Sequence, residues 1–255
     1  EASATGAAIL IYPGITMRRA THGGSPRDLH GLDPPEVLGA LLDGLDLGGE
    51  TRILDVGCGT GGNFPFLARY GTVEGCDYSE EAVRFCRLRG TTPVKEASIY
   101  ELPYGDGSFD LVTCLDVIEH LRFDLPAFRE LGRVLRPGGH ILVTLPARPG
   151  LYSDFDCLAG HLRRYTPREV RELLRHSGFR PLRLTSYTVL VHPLVRYYMR
   201  RGNIIGGRGN YTWGMDTVFP ATQGLLRALL ALEARIISRL DLRGGASLAV
   251  LAEKA

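Results

Sequence analysis

The sequence predicts an α/β fold: a doubly wound, mostly parallel sheet of seven strands, with an N-terminal segment ahead of it and a helical insertion before its last strand. Three observations lead there. Short apolar runs, among them "TRILDVG", "TVEGCD", "FDLVTCLDV" and "HILVTLP", alternate with stretches whose apolar residues recur at helical spacing. Few residues join each run to the next, which requires parallel pairing through right-handed crossovers. The first strand also ends in "GCGTGG", a turn that lets a backbone pass close to a ligand. In an open doubly wound sheet the ligand lies beyond the carboxyl ends of the strands, where this turn sits.

Each element follows in chain order. Residues 1–35 hold glycine and proline breaks, two histidines and an aromatic patch around Tyr12, and read as an N-terminal cap segment. Val37, Leu38, Leu41, Leu42 and Leu45 then form the apolar face of an amphipathic helix. "TRILDVG" is a short buried strand, "NFPFLARYG" one or two helical turns stopping at Gly71, and "TVEGCD" a second strand ending at Asp77. Ser79 caps the next helix, with Glu80 and Glu81 in its positive first turn. A strand near 92–97 and the loop "SIYELPYGDGSFD" lead into "FDLVTCLDV". The helix after it is expected to bury Leu125, Phe128, Leu131 and Leu135 and to end at "RPGG", before the strand "HILVTLP". Thr166, Pro167 and Glu169 make a capping box with proline at the first helical position, opening a helix through His176.

Strands near 181–189 and 246–253 close the sheet, so the sheet domain comprises 36–189 and 241–255. The intervening 190–240 is rich in Tyr, Arg and Gly and ends in a long helix near 221–240. A minimal sheet does not need it. It is either a lid over the ligand site or a dimerisation element, and the second choice implies a homodimer.

Composition narrows the class. The net charge of +2 is too small for a nucleic-acid footprint. Only Lys95 and Lys254 are lysines, so 28 of the 30 basic residues are Arg, a compositional habit rather than a phosphate-binding surface. The densest basic stretch, Arg163 to Arg183, also carries Glu169 and Glu172 and reads as the exposed side of a helix. No apolar run reaches the roughly 18 residues of a membrane span, and "LLRALLALEARIISRL" is broken by Arg227, Glu233, Arg235 and Arg239. "GAAILIYPG" lacks a preceding basic segment, so no signal peptide is expected. The five cysteines are odd in number and contain no CxxC, which favours a reduced cytoplasmic chain with buried thiols and no zinc or other metal site.

Gly57, Gly59 and Gly62 satisfy the GxGxxG spacing, so a nicotinamide dinucleotide has to be weighed first. Asp55, two residues before Gly57, tells against it. A carboxylate at the strand end repels a phosphate and favours a cation or an ammonium group. Asp77, at the end of the second strand, is placed to accept both hydroxyls of a ribose and fits either cofactor class.

The segments "ILDVGCGTGG", "VEGCDYSEEAV", "ELPYGDGSFDLVTCLDVIEHL" and "LRPGGHILVTLP" stand in an order and spacing that resemble class I S-adenosylmethionine-dependent methyltransferases. The likeness covers roughly 37–185 and points to the small-molecule branch that includes the quinone-biosynthesis enzymes. It implies the Rossmann-like methyltransferase fold, S-adenosylmethionine as cofactor and S-adenosylhomocysteine as product. Carried over residue by residue, it puts Asp55 and the loop of Gly57, Cys58, Gly59 and Gly61 against the methionine portion, and Asp77 on the ribose. Tyr78 then flanks the adenine and Ile99 lines its slot. Ser98 stands where the family often has an Asp that binds the adenine amine, so that contact is weaker here or made by backbone. Leu115 and Asp116 approach the methionine and sulfonium end.

The implied reaction is an in-line displacement that methylates an oxygen or nitrogen of a small metabolite, natural-product intermediates included. The protein must align the nucleophile, exclude water and remove a proton where needed. His120, just past "DVIE", is a candidate base, with a packing role as the alternative. The resemblance extends to "GHLRRYTP", where His161, Arg164 and Tyr165 could face the acceptor. Arg164 would suit a carboxylate or phosphate on it. Fastening the loop to the helix is the competing role. Tyr12, Tyr187, His192, Tyr197, Tyr198 and Trp213 are lid candidates, of which Tyr12, Tyr187, Tyr198 and Trp213 are assigned to substrate. Three other readings stay open: C-methylation of a small or lipid-linked acceptor, an NAD-dependent oxidoreductase, and a non-catalytic S-adenosylmethionine-binding module.

Overall fold

A computed structural model describes residues 35–90, 92–193 and 223–255. The expectations for Tyr12, Tyr197, Tyr198 and Trp213 lie outside the described residues. Seven strands form one sheet in the order β3-β2-β1-β4-β5-β7-β6. They are β1 (Arg52–Val56), β2 (Thr72–Asp77), β3 (Val94–Glu96), β4 (Phe109–Leu115), β5 (Leu135–Pro146), β6 (Phe179–Tyr187) and β7 (Ser247–Lys254). β3, β2, β1, β4 and β5 run parallel, while β7 lies antiparallel between β5 and β6. The mostly parallel, doubly wound sheet expected from the alternating pattern is therefore present.

The helices follow from the same pattern. They are α1 (Pro35–Leu42), α2 (Phe64–Leu67), α3 (Glu80–Arg89), α4 (Asp124–Val134), α5 (Asp154–Ala159), α6 (Pro167–His176) and α7 (Gln223–Ile237). Ser79 caps α3 by accepting the Ala82 N–H at 3.2 Å. At α6 the Thr166 hydroxyl accepts from the Glu169 N–H at 3.2 Å, and the Glu169 carboxylate accepts from the Thr166 N–H at 2.7 Å. Each reciprocal pair satisfies donors that a helix start leaves unbonded.

Alternation along the strands sorts the core into two layers. Leu54, Val112, Cys114, Ile141, Val143 and Val250 face one side, where α4 and α6 contribute Phe128, Leu131, Val170 and Leu174. Ile53, Leu111, Leu115, Leu142 and Ala249 face the other, covered by Leu38 and Leu41 of α1, Leu67 of α2, Val83 of α3 and Ile237 of α7. Burying one such side chain contributes roughly 1.5–3 kcal/mol, so the sheet is clamped from both faces. Among the described residues no helix is long and apolar enough to cross a membrane.

Three local expectations need correction. Leu135 belongs to β5 rather than to the preceding helix, pairing with Phe109 before the ladder resumes at Leu111 and His140. "RPGG" is thus a bulge inside a strand. A side chain at Gly139 would come within 2.9 Å of the Arg136 carbonyl, so the bulge needs glycine there. Leu125 is only half-buried, Ala127 taking the interior position beside Phe128. The short helix α5 was not foreseen.

Candidate active site

The glycine turn closes on itself before it meets any ligand. Gly57, Gly59 and Gly61 have φ of +73°, +54° and +82°, a region that other residues avoid. A side chain at Gly57 would collide with Val117, so this position is glycine for space as well as for conformation. The Gly59 N–H donates to Asp77 Oδ2 at 2.8 Å and the Ser79 N–H donates to Asp77 Oδ1 at 2.8 Å. Asp77 therefore holds the turn to the end of β2 while remaining partly exposed.

A cleft opens beyond the carboxyl ends of the strands, as the doubly wound topology dictates. Val56 and Gly57 line it after β1, Asp77 and Tyr78 after β2, Ala97 and Ile99 after β3, and Asp116, Val117, His120 and Leu121 after β4. Tyr78 is 53% exposed and forms the outer wall. Asp116 adopts a φ of +50°, and its N–H donates to the Thr144 hydroxyl at 2.9 Å. That left-handed conformation is tolerated by Asp better than by most residues and marks a constrained strand end. Among the described residues two carboxylates and no Lys or Arg line the cleft, which suits a cation better than a pyrophosphate.

Asp55 lies one residue behind this wall and is 1% exposed. Its Oδ1 accepts the Thr113 hydroxyl at 2.6 Å, whereas its buried Oδ2 has no hydrogen-bond partner. Burial pushes its carboxyl up to about 7, against the Thr113 hydrogen bond and with Asp77 adding to the rise. Cys58 is 4% exposed and packs under the turn, and Leu115 is 7% exposed within the core. Gly61 packs against the Phe64 ring, 2.7 Å from where a side chain would start. The Ser98 hydroxyl accepts the Tyr100 N–H at 3.2 Å, and its neighbours Ala97 and Ile99 reach the cleft instead.

At the far end of the cleft the two predicted histidines come together. His120 and His161 stack edge to face, with ring centroids 5.0 Å apart. His120 Nδ1 stands 3.1 Å from the Gly160 carbonyl, which can only accept, so that nitrogen carries the proton. His161 Nδ1 donates to Asp156 Oδ1 at 2.9 Å, and His161 Nε2 lies 3.8 Å from Glu119 Oε1. Glu119, His120 and His161 each offer a ligand atom within 4.8 Å of the others, the spacing of a divalent-cation site. The sequence reading assigned no metal ligands, because this trio is assembled across 40 residues of chain.

Arg164, expected to face an acceptor, is instead 6% exposed and engaged in fastening. Its Nε donates to Asp156 Oδ1 at 2.8 Å, and its Nη1 donates to the carbonyls of Ala147 at 3.3 Å and Ala246 at 3.5 Å. Its charge is thereby matched internally, the fastening role that the sequence left as the competing reading. Burial acts to raise the Asp156 carboxyl, but the bonds from His161 and Arg164 outweigh it and hold it below the usual range. Tyr165 is 3% exposed, with its hydroxyl 3.3 Å from Asp124 Oδ2, and Tyr187 is 1% exposed in the core beneath α1 and α7. Neither presents a face to an open pocket. His192 is 8% exposed, 3.4 Å from Arg148 Nη1.

Thr113, Glu119 and Asp156 are the polar residues that sequence reasoning missed. Only Glu119 carried a signal, in its place one residue before His120.

The fold is the Rossmann-like methyltransferase type: one antiparallel strand in an otherwise parallel sheet, with a glycine turn closed by a carboxylate and an acidic cleft at the strand ends. Residues 54–143 match the family described as "Methyltransferase domain". The chain is 35% identical over 153 residues to a ubiquinone biosynthesis O-methyltransferase of Xanthomonas oryzae pv. oryzae, covering 57% of this chain and 63% of that protein. It is 41% identical over 106 residues to a fatty-acid O-methyltransferase of Mycolicibacterium smegmatis, covering 38% of each. The chain thus spans less than two thirds of the length of these relatives. An S-adenosylmethionine-dependent methyltransferase of Mesorhizobium loti superposes with a TM-score of 0.57 at 20% identity, over 87% of this chain and 98% of that one. Over residues 54–143 the chain is similar to the methyltransferase domain family, and the relatives it resembles include quinone-biosynthesis and fatty-acid O-methyltransferases. S-Adenosylmethionine fits the residues present: a carboxylate, Asp77, lining the cleft, and a buried Asp55 oxygen still lacking a partner one residue behind it.

Proposed function

We propose that this chain transfers a methyl group from S-adenosylmethionine to an oxygen or nitrogen of a small metabolite. The observation that carries the reading is that Asp77, locked to the glycine turn, and His120, with its Nδ1 proton committed to Gly160, line one cleft. In this reading Asp77 takes the ribose hydroxyls through its remaining lone pairs, Tyr78 and Ile99 flank the adenine, and Gly57 and Asp55 meet the methionine end. The cofactor supplies an activated methyl group and a neutral leaving group. The chain's own task is to align the acceptor, keep out water and receive its proton. His120 does the last through Nε2, because Nδ1 holds a proton already.

Incubating the protein with methyl-labelled S-adenosylmethionine and a panel of phenols, carboxylic acids and amines tests the proposal. Labelled product together with S-adenosylhomocysteine is expected. Tight cofactor binding with no acceptor turned over, across the panel, would favour the binding-module alternative. His120→Ala should lower kcat by roughly 10²–10⁴-fold with little change in S-adenosylhomocysteine affinity. An unchanged kcat would remove His120 from the reaction.

The grouping of Glu119, His120 and His161 favours a second reading of the same chemistry. There the three side chains hold a divalent cation that helps ionise the acceptor. Loss of turnover on dialysis against a chelator, restored by added magnesium or zinc, selects this reading. Undiminished turnover selects the histidine alone.

A further inference from the structure

Asp55 and Thr113 face each other across β1 and β4, both with side chains shut off from solvent. The Thr113 hydroxyl donates to one carboxylate oxygen at 2.6 Å, and the other oxygen has no partner despite full burial. The next two residues along the chain, Val56 at the end of β1 and Gly57 just after it, already line the cleft. From β2 the charged group facing this carboxylate is Asp77, a further negative charge. Among the described residues the remaining titratable neighbours are thiols: Cys76 on β2, Cys114 on β4, Cys58 in the glycine turn and Cys86 on α3. Burial raises every one of them, so all stay neutral. A buried carboxylate with a negative neighbour and no cation beside it takes up a proton rather than keep its charge.

We infer that Asp55 and Thr113 form a proton-linked seat for the cationic methionine end of the cofactor, with Asp55 neutral in the cofactor-free protein and ionised in the complex. The inference rests on the cleft's being the S-adenosylmethionine site. On binding, the O–H bond of the Asp55 carboxyl breaks, its proton leaves to solvent, and the electron pair stays on the oxygen that faces the incoming ammonium. Burial pushing the carboxyl up to about 7 puts the exchange close to neutral pH. Thr113 is a positioning residue in this scheme. Its hydroxyl stabilises the anion and leaves the second oxygen for the ligand.

The linkage predicts that cofactor affinity rises about tenfold per pH unit below about 7 and levels off above it. The test is calorimetric titration with S-adenosylhomocysteine near pH 6 in two buffers of different ionisation enthalpy. The heats should differ by the release of close to one proton per bound molecule. Asp55→Asn should abolish the release and flatten the pH dependence. Thr113→Val should keep the release and move the window to higher pH, because the anion loses its donor. Wild type and Thr113→Val carry the test even if Asp55→Asn fails to fold. Buffer-independent heats in the wild type, or a release that persists in Asp55→Asn, would overturn the inference. Absence of binding by either S-adenosylmethionine or S-adenosylhomocysteine at every pH is a different result: it removes the cofactor reading, and this inference with it.

Discussion

The two ends of the cleft are built by different means. On the cofactor side the geometry is set by backbone: three glycines with positive φ, one carboxylate accepting two N–H groups, and strands adjacent in the sheet. At the His120 end it is set by side chains that reach across the fold. Asp156 on α5 gathers His161 and Arg164, and Arg164 reaches the ends of β5 and β7 through the carbonyls of Ala147 and Ala246. A nucleoside is an invariant ligand and can be met by a rigid turn. An acceptor has to be admitted and released, and the short helix α5 is fixed to the sheet by one buried charge cluster. The contrast predicts that the two sides fail separately.

The strongest way to separate them is to remove Arg164. Its Nε–Asp156 bond is 2.8 Å long and both side chains are buried. Arg164→Leu leaves a buried carboxylate without its counter-charge, which should cost about 3–5 kcal/mol in urea unfolding. If the protein still folds, turnover should fall far more than S-adenosylhomocysteine affinity. An equal loss of both would mean that the two ends are mechanically one.

Asp55 gives the next largest effect, and it depends on pH. Its folded value of about 7 lies above the ordinary 3.8, so the folded state holds a proton that the unfolded chain has given up between those values. Stability contributed by this group is present below pH 3.8 and lost as the pH rises through about 7. Over pH 5 to 7 the loss approaches about 2.7 kcal/mol as an upper limit. Asp55→Asn should therefore flatten the stability curve of the cofactor-free protein over that range, read from urea midpoints. A slope that survives the substitution would belong to another group.

Gly57→Ala probes the turn itself. The φ of +73° and the collision with Val117 should together cost about 1–3 kcal/mol, and S-adenosylhomocysteine binding should weaken by at least as much. The His120 end should be untouched, so the imidazole NMR shifts of His120 and His161 should stay as in the wild type. This is the mirror image of Arg164→Leu.

The same asymmetry governs what could be read in advance. Strands β1, β2 and β4, the Ser79 cap and the Thr166 capping box follow from local pattern, because alternation and N-cap chemistry act over a few residues. The glycine turn and Asp77 were legible for the same reason. For Arg164 and Tyr165 the sequence leaves acceptor contact and loop fastening open: nothing local distinguishes a cation that meets a ligand from one that meets Asp156 and two distant carbonyls. Asp156 itself was invisible, since it lies on a helix too short to leave a periodic signal. Thr113 sits inside an apolar strand, and only the pairing of Asp55 with Thr113 across β1 and β4 gives it meaning. "RPGG" reads as a helix stop and serves as a strand bulge, because glycine and proline mark both.

Tyr165 offers the smallest and finest test. It pairs with Ala147 as a single bridge at the end of β5, and its hydroxyl stands 3.3 Å from Asp124 Oδ2 and 3.5 Å from the Ile118 carbonyl. Both distances are long for a hydroxyl donor, so either bond alone is weak. Burial pushes the phenol well above its usual range, and it donates without ionising. Tyr165→Phe should accordingly cost only about 0.5–1 kcal/mol, because the ring keeps its packing. Acceptor KM should not change. The hydroxyl ties the first turn of α4 to the short helical turn carrying His120, so a small fall in kcat at constant KM would mark a loosened histidine. A raised KM with unchanged kcat would instead put the phenol in contact with the acceptor and return Tyr165 to the substrate side.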